Sequence, residues 1–515
     1  MALAFVIVLL LLVQSSITIR IPTNSGSASK ITTNVPPSTT PPHPRNQNVN
    51  FYYTTCIHGF EGTLLRELQT ILEPTYSEAA ATVKMGRSGC SFSGPVGAAY
   101  LVLLWSRVAL RLLEQVGDEF TVTGSKHLYE TISENVDVKR LLLSNPEDGE
   151  QMLTLSVRTT MPSNRSDRIP QTLKHSHFTA LTVKNALVDN FRDLSADGKT
   201  RPDIDVHNAD VPLTLALSNG DPGEEETAGC KGMLYRGLSA RSLHRRGYRT
   251  GEKIHAAALK ETIAAGLLLE AGYHRLVDDA KKTGEAAVLT DCMMGSGTFL
   301  IEGAMIAADV SPYLMGAEIG GGREAGAEGM RFLRWDNADP TLWHSLVHEA
   351  KSRESIGRDF FKSSLDRIII AGCDMHFGAY SLAKAGVKNA GFGDCIRLSH
   401  SSFSAYSSVV QELLINDRSL MVLNPPWDHR IAANVENKTA RSSPIDHSSP
   451  SQSELMFGEL GESLKSMQKR FECFILFPPS KAYGGLKLKR SRSFTFETAK
   501  MKLKWLKYDL FGAEF

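Results

Sequence analysis

The apolar positions of this chain switch repeatedly between two spacings. Residues 51–56 form a short β-type run. Residues 62–72 carry Leu64, Leu65, Leu68 and Leu72 at helical spacing, and residues 98–116 place Leu101, Leu104, Val108, Leu112 and Val116 on one helical face. Residues 151–159 alternate as a strand, 177–193 read as a helix, and 211–217 alternate again. Strands interleaved with helices predict an α/β or α+β region here. Residues 219–229, Gly-rich and acidic, predict a linker.

The second half has a different rhythm. Residues 252–269 predict a helix, 287–290 a short apolar strand, and a Gly-rich turn then leads into a helix that runs to 308. Residues 309–366 are rich in Gly and charge and predict an insertion. Residues 367–372 and 420–423 are continuous apolar runs, as parallel strands buried on both faces tend to be. Residues 430–453 are polar and predict a mobile loop, and 471–477 predict a late strand.

The first fifty residues behave otherwise. Residues 2–13 are almost purely apolar, too short to span a bilayer but suited to the hydrophobic region of a signal peptide. Residues 14–50 are rich in Ser, Thr, Pro and Asn. The fifty contain no acid and three basic residues, Arg20, Lys30 and Arg45. A signal-like segment followed by an acid-free, hydroxyl-rich stretch resembles the bipartite presequences of algae with complex plastids. It predicts import into an organelle, a plastid first, with a cytoplasmic protein as the alternative.

Composition narrows the classes. The 515 residues are 42% hydrophobic and 22% charged, which excludes wholesale disorder and suggests two to four domains. The seven cysteines are scattered without a Cys-x-x-Cys, which argues against a disulfide framework or a zinc site. The net charge of +1 argues against a uniformly basic nucleic-acid binder. It is nevertheless a sum of unlike parts. Residues 235–260 hold seven Lys/Arg and one acid, and residues 481–508 nine and one, the latter interleaved with Tyr483, Phe494, Phe496, Trp505 and Tyr508. Both segments are candidate phosphate-contacting, base-stacking surfaces.

Two motifs carry chemistry. Residues 288–302 take an apolar strand into Asp291, turn through Gly295 and Gly297, and enter a helix at Thr298. Such a turn lets a ligand approach the backbone at a helix N-terminus. Asp374 ends the next apolar strand, where an acid suits ribose hydroxyls, and Asp394 follows where an acid suits an adenine amino group. The second motif is Asn424-Pro425-Pro426-Trp427, again after an apolar strand. Two prolines fix the backbone and remove donors. The Asn424 side-chain carbonyl and the Pro425 backbone carbonyl then accept from an exocyclic amino group, and Trp427 offers a face to a flipped base. This chemistry calls for no metal and no covalent nucleophile; orientation does the work.

Residues 234–249, Leu-Tyr-Arg-Gly-Leu-Ser-Ala-Arg-Ser-Leu-His-Arg-Arg-Gly-Tyr-Arg, and the following 257–265 lie upstream of both motifs. With them the chain resembles the THUMP-domain RNA guanosine-N2 methyltransferases of the RlmL type, over residues 51–515. The resemblance implies a ferredoxin-like and THUMP α+β module that grips RNA at 51–225 and a Rossmann-like methyltransferase domain at 230–515; composition adds a targeting presequence at 1–50 and an insertion near 309–366. It implies S-adenosyl-L-methionine held by Asp291, Gly295, Gly297, Thr298, Asp374 and Asp394, and the target guanine held by Asn424, Pro425, Pro426 and Trp427. RNA contacts would come from Arg241, His244, Arg245, Arg246 and Arg249. Large-subunit rRNA is the expected substrate; tRNA, and an inactive RNA-binding assembly factor, are the alternatives. The mature protein is expected to make no stable membrane association, and its oligomeric state stays open. The family often has Pro where Cys292 stands, Cys for Met294, Tyr for Trp427 and Gly for Asp428, departures that bear on loop geometry and rate.

Overall fold

The computed structural model describes residues 49–511 apart from 146–148, 150, 163–168, 220–228, 240–241, 250–258, 320–329, 414–417, 427–451, 468, 479–481 and 499–500. The expected presequence, most of the 219–229 linker and nearly all of the 430–453 loop lie outside the described residues.

Two seven-stranded sheets organise the rest. The first runs in the order β2-β3-β1-β4-β7-β6-β5, built from β1 (Asn50–Thr55), β2 (Lys84–Gly86), β3 (Gly89–Gly94), β4 (Arg111–Val122), β5 (Leu155–Thr160), β6 (Val211–Asn219) and β7 (Cys230–Gly237). Only β5 and β6 are parallel neighbours. Alternation decides which face goes inward: Tyr52, Thr54, Phe92, Leu112, Glu114, Leu215 and Leu234 are buried on one face. Leu64, Leu68 and Leu72 of the helix Glu61–Leu72 and Val183 and Leu187 of the helix Ser176–Leu194 join the same core.

Two expectations change here. The helix expected over 98–116 ends at Trp105, and β4 begins at Arg111. Leu112, Glu114 and Val116 suit either period, and pairing to β1 and β7 decides for the strand. The N-terminal module also extends to residue 237 instead of 225, because β7 sits between β4 and β6 with its alternate residues in that core.

The second sheet runs β10-β9-β8-β11-β12-β14-β13, from β8 (Ala287–Asp291), β9 (Ile368–Asp374), β10 (Ile396–His400), β11 (Ser419–Leu423), β12 (Arg470–Phe477), β13 (Arg492–Glu497) and β14 (Lys502–Phe511). β8 to β12 are mutually parallel and β14 is antiparallel to β12. Every residue of β8, β9 and β11 is buried, as helix-covered parallel strands require. The chain winds from β8 outward to β10, then returns to place β11 on the other side of β8. That reversal opens a crevice at the carboxyl ends of β8 and β11.

Residues 309–366, expected as an insertion, are largely helical where they are described. They contain the helix Pro312–Ile319 and the 24-residue helix Pro340–Ser363, capped by Asp339, whose carboxylate accepts from the Leu342 amide at 2.8 Å. Trp335 and Trp343 are buried, and the Trp335 indole donates to the Asp210 carbonyl at 3.0 Å. The Arg236 guanidinium stacks 4.3 Å from the Trp335 ring centroid and pairs with Glu114 at 3.0 Å and Asp336 at 3.1 Å.

A second joint ties the N-terminal helix to the catalytic half. Buried Glu270 accepts from Thr63 at 2.6 Å and from Arg492 at 2.8 Å, and pairs with Arg66. Beside it Phe60 lies against Gly266, where an added Cβ would meet the ring at 2.5 Å, and packs on Phe494 and Phe496 at 5.0 Å each. Glu270→Ala removes three partners at once and is expected to lower unfolding free energy by about 1–3 kcal/mol, read from the midpoint of a urea titration.

Candidate active site

Strand pairing brings the two sequence motifs together. Met421 of β11 lies opposite Thr290 of β8, so the chain leaves both strands side by side, one into the Gly turn and the other into Asn424. Gly295 and Gly297 take φ of +54° and +73°, a region that side chains avoid. A Cβ built on Gly295 would meet no atom within 4 Å, so the turn is open on its outer side. Gly297 caps the helix Thr298–Ala307, and a Cβ there would press on Ala383 at 3.1 Å.

The acids differ in environment. Asp291 is buried and accepts from the Met293 amide at 3.0 Å. Burial holds its carboxyl well above the usual range; the Met293 hydrogen bond opposes this, and Asp374 pushes further up. Asp374 accepts from the Gly295 amide at 2.9 Å and from the His376 amide at 2.9 Å, so it braces the turn from the neighbouring strand. Each of its oxygens keeps a lone pair for a further donor. Two acids converging on one turn favour a ligand that brings positive charge. Asp394 is exposed, at the start of β10.

Asn424 is partly buried, and its side-chain oxygen is shielded from solvent with no hydrogen-bond partner among the described residues. An orphaned acceptor at the switch point is unfavourable unless a donor arrives. Pro425 is buried and Pro426 half-buried. Trp427 lies outside the described residues.

The segment expected to contact RNA does something else in part. Arg246 is 1% exposed: its guanidinium donates to the Arg107 carbonyl at 2.6 Å and to the Leu243 carbonyl, and pairs with Glu302 at 3.6 Å. Tyr248 donates to the same Glu302 at 3.1 Å. Arg249 donates to the Leu259 carbonyl at 2.6 Å and to the Thr298 hydroxyl, and pairs with Glu261 at 3.6 Å. Arg246 and Arg249 are therefore spent inside the protein, and the Thr298 hydroxyl holds Arg249. His244 is half-buried; burial first, then Lys260 and Arg245, lower its pKa to about 4, so it is neutral at pH 7 and no cation for a phosphate. Arg245 is exposed, and Arg241 lies outside the described residues. The basic tail corrects likewise: Phe496, Trp505 and Tyr508 are buried core residues of β13 and β14, with no face left for a base.

Sequence reasoning missed Glu302 and Arg107 as structural charges. An acid within the apolar helix 298–307 was the available signal, because only a paired carboxylate survives there. It also missed the cluster beside Asp374, where exposed Met375 and Phe377 adjoin Tyr380 and His400, with Phe377 and His400 rings 5.5 Å apart.

Comparison with known proteins fits this geometry. Residues 246–443 match the RMKL-like methyltransferase domain, and residues 52–113 the RlmL ferredoxin-like domain. Residues 246–443 are therefore similar to the RMKL-like methyltransferase domain. It is 30% identical over 385 residues to a ribosomal RNA large subunit methyltransferase K/L of Cellvibrio japonicus, covering 74% of this chain and 43% of that protein. The same-named protein of Ectopseudomonas mendocina is 30% identical over 378 residues, with coverages of 73% and 43%. The chain thus spans less than half the length of these relatives. Among solved structures, SMU.472, a putative methyltransferase complexed with SAH, superposes with a TM-score of 0.62 at 17% identity, covering 91% of this chain and all of that one. A possible methylase from Clostridium difficile 630 gives 0.63 at 16%, covering 91% and 99%. These likenesses show that both halves of the chain share the fold of those structures.

Arg246→Met leaves Glu302 buried with Tyr248 alone and is expected to cost about 3–5 kcal/mol in stability. Thermal unfolding reads the loss.

Proposed function

We propose that this protein transfers the methyl group of S-adenosyl-L-methionine to the exocyclic N2 of a guanosine in RNA, large-subunit rRNA being the substrate. The orphaned Asn424 oxygen, just past the strand β11 that pairs with β8, carries the reading. The family match and the names of its relatives support the RNA substrate and the cofactor.

The residues present fit the cofactor. The open side of Gly295 leaves room for it, and the acid pair Asp291 and Asp374 suits its cationic groups and ribose hydroxyls. When bound, S-adenosyl-L-methionine supplies an electrophilic methyl group. The protein's part is to present a nucleophile. The Asn424 oxygen accepts an N–H of the guanine amino group, and the Pro425 carbonyl supplies a second acceptor. With both N–H bonds held, the nitrogen lone pair has one direction left. Neither proline offers a competing donor. The gain is orientation, which is worth many orders of magnitude when reacting atoms are aligned.

Asn424→Ala is expected to lower transfer at least about a hundredfold while calorimetry shows cofactor binding retained. The assay uses tritiated S-adenosyl-L-methionine with rRNA, followed by nucleoside chromatography. Label in any product other than N2-methylguanosine, or unimpaired transfer by the variant, would overturn the assignment. Label in tRNA alone would move it to that substrate.

We place the reaction in an organelle, a plastid first, on the acid-free, hydroxyl-rich character of residues 1–50. A fluorescent protein carrying those residues is expected to enter that organelle; diffuse cytoplasmic signal contradicts this.

A further inference from the structure

The first sheet has a second face. Register places Phe51 and Tyr53 of β1, Tyr235 of β7 and Arg158 of β5 on the side opposite the buried core, with Arg111 of β4 among them. Helices from both halves of the module join the core on the inner side, and the outer residues stay open: Phe51 is 58% exposed, Arg158 is exposed, and Tyr53 and Tyr235 are half-exposed. The Tyr53 and Tyr235 rings lie 6.1 Å apart. Tyr53 also lies along the β2–β3 hairpin, where a Cβ on Gly89 would strike its ring at 2.7 Å and where its hydroxyl donates to the Arg87 carbonyl at 2.8 Å. The rings are therefore laid across the sheet, with faces available to a planar partner.

The charges on this face are one-sided. Strands β1, β3, β5 and β6 contain no acid, and Glu114 of β4 points into the core. Of the nearest carboxylates, Glu61 is spent on His58 and the Gly59 and Ser88 amides, and Glu119 lies against Lys231. Arg111 and Arg158 have no carboxylate partner among the described residues, and they are close enough that Arg158 adds to burial in disfavouring the charge of Arg111. Two guanidiniums on the same sheet face as three aromatic rings call for a partner that brings both anions and flat apolar surfaces.

We propose that this outer face is a stacking platform for unpaired nucleotides of the substrate RNA, with bases on Phe51, Tyr53 and Tyr235 and phosphates on Arg158 and Arg111. The proposal rests on the RNA reading above and adds where the N-terminal module grips. Every base has a π-face, so the platform binds single strands and loops with little sequence preference, while an A-form duplex keeps its bases stacked on each other and gains less.

Full-length protein and fluorescein-labelled single-stranded RNA of mixed sequence, followed by anisotropy, test it. Phe51→Ala and Tyr235→Ala are each expected to weaken binding roughly tenfold, and Tyr235→Phe to bind like wild type. Arg158→Glu is expected to weaken binding and to reduce the salt slope by about one to two. Calorimetric binding of S-adenosyl-L-methionine is expected to be unchanged throughout. Wild-type affinity in Phe51→Ala and Arg158→Glu, both at exposed positions, overturns the platform even where Tyr235→Ala fails to fold. So does a dimer in sedimentation that Phe51→Ala disperses, which assigns the face to a second copy. Absence of RNA binding by the wild-type protein overturns the RNA reading itself.

Discussion

The constraint on which the site depends is a carboxylate that has no access to water. Glu302 sits fully buried in the helix that starts at the Gly turn. A lone charge there would cost several kcal/mol, so the chain must deliver a cation to it. Arg246 is that cation, and Tyr248 adds a hydrogen bond. Arg246 in turn holds the Arg107 carbonyl, and the Arg107 guanidinium donates to the carbonyls of Met305 and Val310 at 3.3 and 3.0 Å. One buried acid thus fixes the connecting segment, a loop of the N-terminal module and the end of its own helix. That anchorage holds the helix that leaves the Gly turn, while Asp374 braces the turn itself.

The other joints work on the same principle at the surface of the interface. Glu270 gathers a helix of the first module and a strand of the second sheet, and Arg236 gathers β4 and the segment around Trp335. Charges bridge the halves where apolar packing alone would allow sliding, while Phe60 against Gly266 supplies the close fit. The consequence is a fixed relation between the N-terminal module and the crevice between β8 and β11.

Much of this was legible in the sequence wherever one local pattern had one explanation. The apolar runs that became β8, β9 and β11 and the glycines of the turn are of this kind. Where two explanations shared a pattern, the sequence alone misled. Residues 98–116 satisfied a helical period, yet residues 111–116 pair as a strand. Residues 309–366 read as an insertion by composition; only the structure shows that Trp335 and Trp343 of that segment are buried in the core.

The basic residues teach the same lesson. Arginine at 245, 246 and 249 is one charge pattern along the chain, but Arg245 faces water while Arg246 and Arg249 face buried acids more than ten residues away in sequence. By itself the sequence determined the two motifs, the order of the modules and the chemistry that Asn424 offers, because these depend on residue type and near spacing. Tertiary structure alone decided which charges are spent internally, which face of the first sheet stays open, and that the strands leading into Asn424 and the Gly turn lie side by side. Those depend on pairing between strands over a hundred positions apart, and burial, which sets the cost of every charge, exists only once the sheets have formed.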